Sequence, residues 1–165
     1  KLYRSKIIKE NNIKFVDNCS YGEDLIFNYQ YLQYVYNIFT VSTALYHYRI
    51  LTNSLSTKLR YNQFEEDYHQ WRILKEFHAH RNLENKVSLN YLYKKLWGIV
   101  YDGIFLYPHL NPKPEKYIKK ILEIPEIKEL INYKHTYPCS IWIKQAIINK
   151  YIFIFNLYFK IFNLI

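Results

Sequence analysis

The chain has 165 residues, 50% of them hydrophobic, with 19 Tyr and 10 Phe but only 3 Gly and 5 Pro. That content excludes a disordered tail and suffices for one buried core. The 23 Lys and Arg outnumber the 14 Asp and Glu for a net charge of +9, a surplus that suits an anionic partner or reflects a Lys-, Asn- and Ile-rich composition. Two cysteines, Cys19 and Cys139, stand too far apart in sequence for a metal-type or redox-type pair and are expected as thiols. No methionine occurs, so the chain is expected to be a fragment or a trimmed product.

In chain order, a short helix is expected over residues 5–11 with Ile7 and Ile8 inward and Asn11-Asn12 as its stop, followed by a brief extended stretch over residues 13–16. Ser20 and Glu23 then have capping-box spacing, and Gly22 gives the backbone freedom to turn into a helix running to about Tyr36. Leu25, Tyr29, Leu32 and Tyr36 recur at helical intervals as its expected inward face. Glu23 and Asp24 fall at the start of this helix, where its dipole and free N–H groups favour an ionised carboxylate, as a general base requires. Acidic residues are also ordinary first-turn stabilisers, so the placement alone leaves both roles open.

Residues 38–41 and 44–49 are β-branched and aromatic and read as two strands, with Leu45, His47 and Arg49 on one face. The polar loop Thr52-Asn53-Ser54 follows and has a composition able to close over a ligand. Arg49 suits a guanidinium grip on a diphosphate and equally an ion pair with Glu23 or another acid. His47 has no two companion ligands in view and is not read as a metal ligand on its own.

Beyond this point the pattern is helical. Residues 58–80 form an expected long helix with Phe64, Tyr68, Trp71, Leu74 and Phe77 or His78 on one side, and residues 87–107 a second one through Tyr91, Leu92, Trp97, Val100 and Ile104. The two are expected to pack as an antiparallel hairpin. His69, His78 and His80 do not share a face and are not read as a metal set. Pro108, Pro112 and Pro114 break the chain before short helices over 115–122 and 125–132, and Pro138 marks the next boundary. Residues 141–165 form a greasy helix with a polar stripe of Gln145, Asn149, Asn156, Lys160 and Asn163. From Tyr151 only about 22 Å of it is strongly apolar, short of the roughly 30 Å hydrocarbon core. A helix lying in a membrane interface is therefore expected, with packing against the rest of the protein as the alternative.

Five segments, Lys1-Leu2-Tyr3-Arg4, Ile13-Lys14-Phe15, Tyr21-Gly22-Glu23-Asp24-Leu25-Ile26-Phe27-Asn28, Leu45-Tyr46-His47-Tyr48-Arg49 and Asn53-Ser54-Leu55-Ser56, resemble in that order the second half of a family 2 glycosyltransferase catalytic domain of the bacterial cell-surface glycan type. The resemblance covers about residues 1–57. It implies an α+β fragment in which residues 1–57 are part of a GT-A α/β catalytic domain, residues 58–140 a helical extension and residues 141–165 an amphipathic, membrane-associated helix.

It further implies an inverting transfer of sugar from a nucleotide-sugar to a hydroxyl of a glycan acceptor. Asp24 would be the general base and Glu23 would orient it or bond the acceptor, with His47, Tyr48, Arg49 and Ser54 as substrate-binding positions. A divalent metal, Mg or Mn, is expected in the complete enzyme. No Asp-x-Asp occurs here, so its ligands are expected outside this chain, and the chain alone is expected to be inactive. The implied location is cytoplasmic, peripheral to the inner face of the cell membrane, with an anionic membrane surface as a further partner. The competing class is a basic helical module binding membrane or nucleic acid without catalysis. Because the positive residues are scattered and no recognition motif appears, no nucleic acid is expected.

Overall fold

The computed structural model describes residues 1–17, 19, 21–47, 60–133, 141–149, 151, 153–155 and 157, with the backbone alone at 131, 141, 142, 144 and 148. Among these residues the regular structure is entirely helical: α1 (Ser5–Glu10), α2 (Glu23–Leu32), α3 (Gln63–His80), α4 (Lys86–Phe105), α5 (Pro114–Leu122) and α6 (Ile141–Ile148). Three short 3-10 turns, Pro108–Leu110, Pro125–Ile127 and Glu129–Asn132, link the later helices.

This overturns the expected α+β, GT-A-type architecture. Residues 38–41 and 44–47 form no strand, and the described residues contain no sheet. Ile38, Phe39, Val41, Leu45 and Tyr46 are all exposed. Strand propensity is a preference for a pleated, half-buried surface, and an isolated pair of strands has too little of one to hold together. No described segment lies alongside to supply the ladder, so the β-type composition of this stretch goes unused.

Two helix ends show how local chemistry sets the boundaries. After α1, Asn12 takes a left-handed φ of 49° and Ile13 N–H bonds back to Ile8 O at 3.0 Å. After α3, Asn82 takes φ 53° and Leu83 N–H reaches His78 O at 2.9 Å. In each case an Asn tolerates the left-handed turn that lets the outgoing N–H groups satisfy the last helical carbonyls. Asn85 then opens α4 by accepting from Val87 N at 3.1 Å and Ser88 N at 3.0 Å, a side-chain N-cap.

Those turns fold α3 back against α4 as an antiparallel hairpin. Phe64 near the start of α3 lies against Gly103 near the end of α4, and the Trp71 indole N–H donates to Leu92 O at 2.8 Å. Around this hairpin a single core gathers Trp71, Leu92, Leu96, Trp97, Val100 and Ile104 with Ile118, Ile121 and Leu122 of α5 and Ala146 and Ile147 of α6. Here the amphipathic pattern of the sequence is the packing pattern: Phe64, Trp71, Leu74 and His78 are buried, with Tyr68 and Phe77 half-buried beside them. Residues 125–132 form paired 3-10 turns rather than one helix. They are tied to the hairpin by polar contacts: Glu126 accepts from the Tyr68 hydroxyl at 2.6 Å and from Lys75 at 3.4 Å, and Tyr93 donates to Glu129.

A smaller cluster of Ile13, Phe27 and Tyr31, flanked by Ile7, Ile8 and Val35, joins α1 to α2. Tyr3 meets the rings of Phe27 and Tyr31 edge-on, Phe15 stacks on Phe27, and the Tyr31 hydroxyl accepts from Arg4 N at 2.8 Å. Helix α2 ends at Leu32, not near Tyr36, and buries Ile26, Phe27 and Tyr31 in place of the expected Leu25, Tyr29 and Leu32 face. The segment is apolar nearly all round and lies between the α1 cluster on one side and α3 on the other. Its inward face is therefore chosen by two neighbours and not by periodicity. The C-terminal stretch also departs from one continuous helix, because α6 stops at Ile148 with a turn at Asn149, and residues 153–155 are helical again. No helix among the described residues is long and apolar enough to cross a membrane.

Candidate functional site

Glu23 and Asp24 occupy the first turn of α2 and both are exposed. Gly22 is the N-cap, with φ 82° and no side-chain cap; Ser20, expected to cap this helix, lies outside the described residues. The first-turn N–H groups of α2 thus have no capping side chain among the described residues, and the helix dipole favours anions at this end. No described residue forms a hydrogen bond or ion pair with either carboxylate.

Around the pair stand groups that the sequence did not single out. The Tyr3 hydroxyl donates to Asn28 Oδ1 at 2.7 Å, and Asn28 Nδ2 donates to Asp24 O at 2.6 Å. Burial, and then the charge of Asp24, push the Tyr3 phenol above its ordinary range. It therefore stays protonated at neutral pH and keeps its oxygen available as an acceptor beside Asp24. Asn28 was legible as the i+4 neighbour of Asp24, and Tyr3 sat inside a quoted motif. The loop before the pair is held from α3: Gln70 Nε2 donates to Tyr21 O at 2.8 Å, and the Arg60 guanidinium lies 4.7 Å from the centre of the Tyr21 ring. The only trace of this contact in sequence is a polar row, Gln63, Glu66 and Gln70, on a helix whose other face is apolar. All three are buried.

The remaining expected site residues do not join this arrangement. His47 is exposed in an irregular stretch, and no described contact links it to the acidic pair. Tyr48, Arg49 and Ser54 lie outside the described residues. Cys19 is a free thiol that donates to Tyr21 O at 3.1 Å, and Cys139 lies outside the described residues.

No family model, curated protein or solved structure matches this chain.

A second polar centre starts from Gln63, the first residue of that polar row on α3. Asp67 is half-buried with both carboxylate oxygens 3.1 Å from Gln63 Nε2. Burial raises its pKa, only partly offset by the Gln63 bond. Burial and then the charge of Asp67 raise that of Asp102 on α4. His78 and His69 fall on different faces of α3, the first buried and the second exposed. Among the described residues no group of three His, Cys, Asp or Glu side chains converges as a metal site.

What the acidic pair can do follows from its setting. An exposed carboxylate on a helix N-terminus, without a partner among the described residues and next to a protonated phenol, can accept a proton from a hydroxyl brought to it. The phenol and the Asn28 amide can meanwhile orient that hydroxyl by hydrogen bonding.

Proposed function

We propose that the acidic pair is the acceptor-side base of an inverting nucleotide-sugar-dependent glycosyltransferase acting on a cell-surface glycan. One observation carries this reading: Asp24 and Glu23 are presented together, exposed and unpaired among the described residues, on the uncapped N-terminus of α2 beside Tyr3. The reading rests on this site and on the sequence resemblance, not on the fold. Asp24 takes the proton of the acceptor hydroxyl as that oxygen attacks the anomeric carbon, and Glu23 bonds a neighbouring hydroxyl of the acceptor. The nucleotide diphosphate leaves with the bonding electron pair; a divalent metal bound elsewhere in the enzyme would supply the positive charge that stabilises it.

The test is Asp24→Asn in the enzyme that contains this chain. Loss of general-base catalysis lowers kcat about 10²–10⁴-fold with little change in acceptor KM. Transfer at the parent rate would remove Asp24 from the base role, and sugar transfer by the isolated 165 residues would refute the division of labour.

The location proposed with it is peripheral to an anionic membrane face. Tyr151, Phe153 and Leu157 are exposed while Phe155 is buried against Phe105. Phe153 and Leu157 stand one turn apart on an outward face, with Lys150 and Lys160 flanking them in sequence. This is the composition of an interfacial segment. Cosedimentation with vesicles carrying anionic lipid, lost when Phe153 and Leu157 are both changed to Ser, is the expected result; equal binding by the two forms would exclude this surface.

A further inference from the structure

The acidic pair sits within the motif-bearing residues 1–57, whereas α3 lies in a stretch that carries no motif. Yet the backbone immediately before the pair is gripped from α3. The Tyr21 carbonyl accepts from Gln70 Nε2 at 2.8 Å and from Cys19 Sγ at 3.1 Å, which occupies both its lone pairs. Gln70 is only 7% exposed, so its amide has little freedom to leave. The next residue, Gly22, has φ 82°, and a Cβ built there would lie 2.3 Å from Gln70 Nε2 and 2.5 Å from its Cδ.

The side chain of Tyr21 is held as firmly. Arg60 faces its ring at 4.7 Å, and Arg60 Nε pairs with Glu66 Oε2 at 3.1 Å. The other oxygen of Glu66 accepts from Asn62 Nδ2 at 3.0 Å, and the side chains of Arg60 and Glu66 are 13% and 9% exposed. The guanidinium is thus fixed in plane before it meets the ring. Ring, carbonyl and the following Cα are all fixed by α3 and its lead-in. Helix α2 has no side-chain cap of its own, so the direction of its first turn is inherited from this grip.

We propose that Gln70, supported by Arg60 and Glu66, is a positioning residue for Glu23 and Asp24, so that the helical extension sets the geometry of the acidic pair. The inference rests on the reading of that pair as the catalytic site, and it is tested apart from that reading.

The experiment is NMR on the whole chain carrying Gln70→Leu, which keeps the volume and removes the donor. Two quantities are read: amide exchange at Ile26, whose N–H bonds Gly22 O at 3.0 Å at the start of α2, and the amide chemical shifts of Glu23 and Asp24 in the folded protein. Exchange at Ile26 rises about tenfold, the equivalent of one hydrogen bond, and the Glu23 and Asp24 shifts move. The Trp71 indole and the α4 amides remain protected. A structural role confined to stability would leave the Glu23 and Asp24 shifts of the folded protein unchanged.

Parent-like Ile26 exchange and parent-like Glu23 and Asp24 shifts in a folded Gln70→Leu chain overturn the proposal. Should that variant fail to fold, Arg60→Lys decides in the same way, since it keeps the charge for Glu66 and removes the planar face above Tyr21. The two readings separate cleanly. Moved Glu23 and Asp24 shifts with transfer intact in Asp24→Asn remove the catalytic reading and keep the positioning one. Lost transfer with unmoved shifts does the reverse.

Discussion

Gly103 is the position where three helices meet, and replacing it with Ala tests the packing at the centre of the fold. A Cβ there would stand 2.8 Å from Phe64 Cδ2 and 3.0 Å from Ile121 Cδ1. Phe64 is 2% exposed and Ile121 fully buried, so neither has solvent to move into. On its own, Gly→Ala inside a helix stabilises by about 1 kcal/mol. The added methyl must displace a buried ring, and overpacking of this kind costs about 1–3 kcal/mol. The second effect wins by about 1 kcal/mol, which lowers Tm by about 2–4 °C for a chain of this length. Calorimetry together with urea unfolding reads the change. The companion variant is Phe64→Leu, which opens the space: in that background Gly103→Ala should lose its penalty and show the propensity gain. A Gly103→Ala protein more stable than the parent would refute the close approach of α3, α4 and α5.

Two further outcomes follow from local features. Asn85→Ala removes both first-turn bonds that cap α4 and should destabilise by about 1 kcal/mol with no change in the urea m-value; an unchanged midpoint would mean that the cap is empty in solution. His78 is buried, and burial holds its imidazole below the ordinary 6.5. The unfolded chain therefore binds the proton first, so stability present above that value is lost as pH falls through it toward the folded-state value. Urea midpoints measured at about pH 7.5 and about pH 5.5 should fall for the parent and fall less for His78→Leu. Equal falls in the two proteins would take His78 out of the effect.

The helical hairpin was readable in advance because its apolar residues keep one period over many turns and its ends carry their own signals. Trp71, Leu74, Leu92, Trp97 and Val100 recur at helical spacing, and Asn82 and Asn85 mark the turn. The same method failed at α2, where Leu25, Ile26, Phe27, Tyr29, Tyr31 and Leu32 leave no polar face to fix the rotation. It failed again at residues 38–47, where strand-forming side chains were present but nothing in the local pattern could reveal that no described segment pairs with them. For the candidate site, the acidic pair and its helix start were legible because first-turn placement is a local property. The grip of Gln70 and Arg60 was not, since it joins residues 49 positions apart through a backbone carbonyl, and carbonyls carry no side-chain signature. The Glu126 and Glu129 contacts with Tyr68, Lys75 and Tyr93 were hidden as well, because they join residues 36 to 58 positions apart.

The irregular stretch after α2 bears on how copies of the chain behave together. Residues 37–46, Asn-Ile-Phe-Thr-Val-Ser-Thr-Ala-Leu-Tyr, carry no charge and no proline, and their largest apolar side chains face solvent. A segment of that composition, in no strand pairing among the described residues, is suited to add strand by strand to its counterpart in a neighbouring molecule. What opposes such stacking is the net charge of +9, which keeps copies apart by mutual repulsion. That repulsion is screened as ions are added, its range shrinking from about 30 Å at 0.01 M salt to about 8 Å at physiological ionic strength. Solubility of the chain should therefore fall as salt rises, with Ile38, Phe39 and Val41 at the seam.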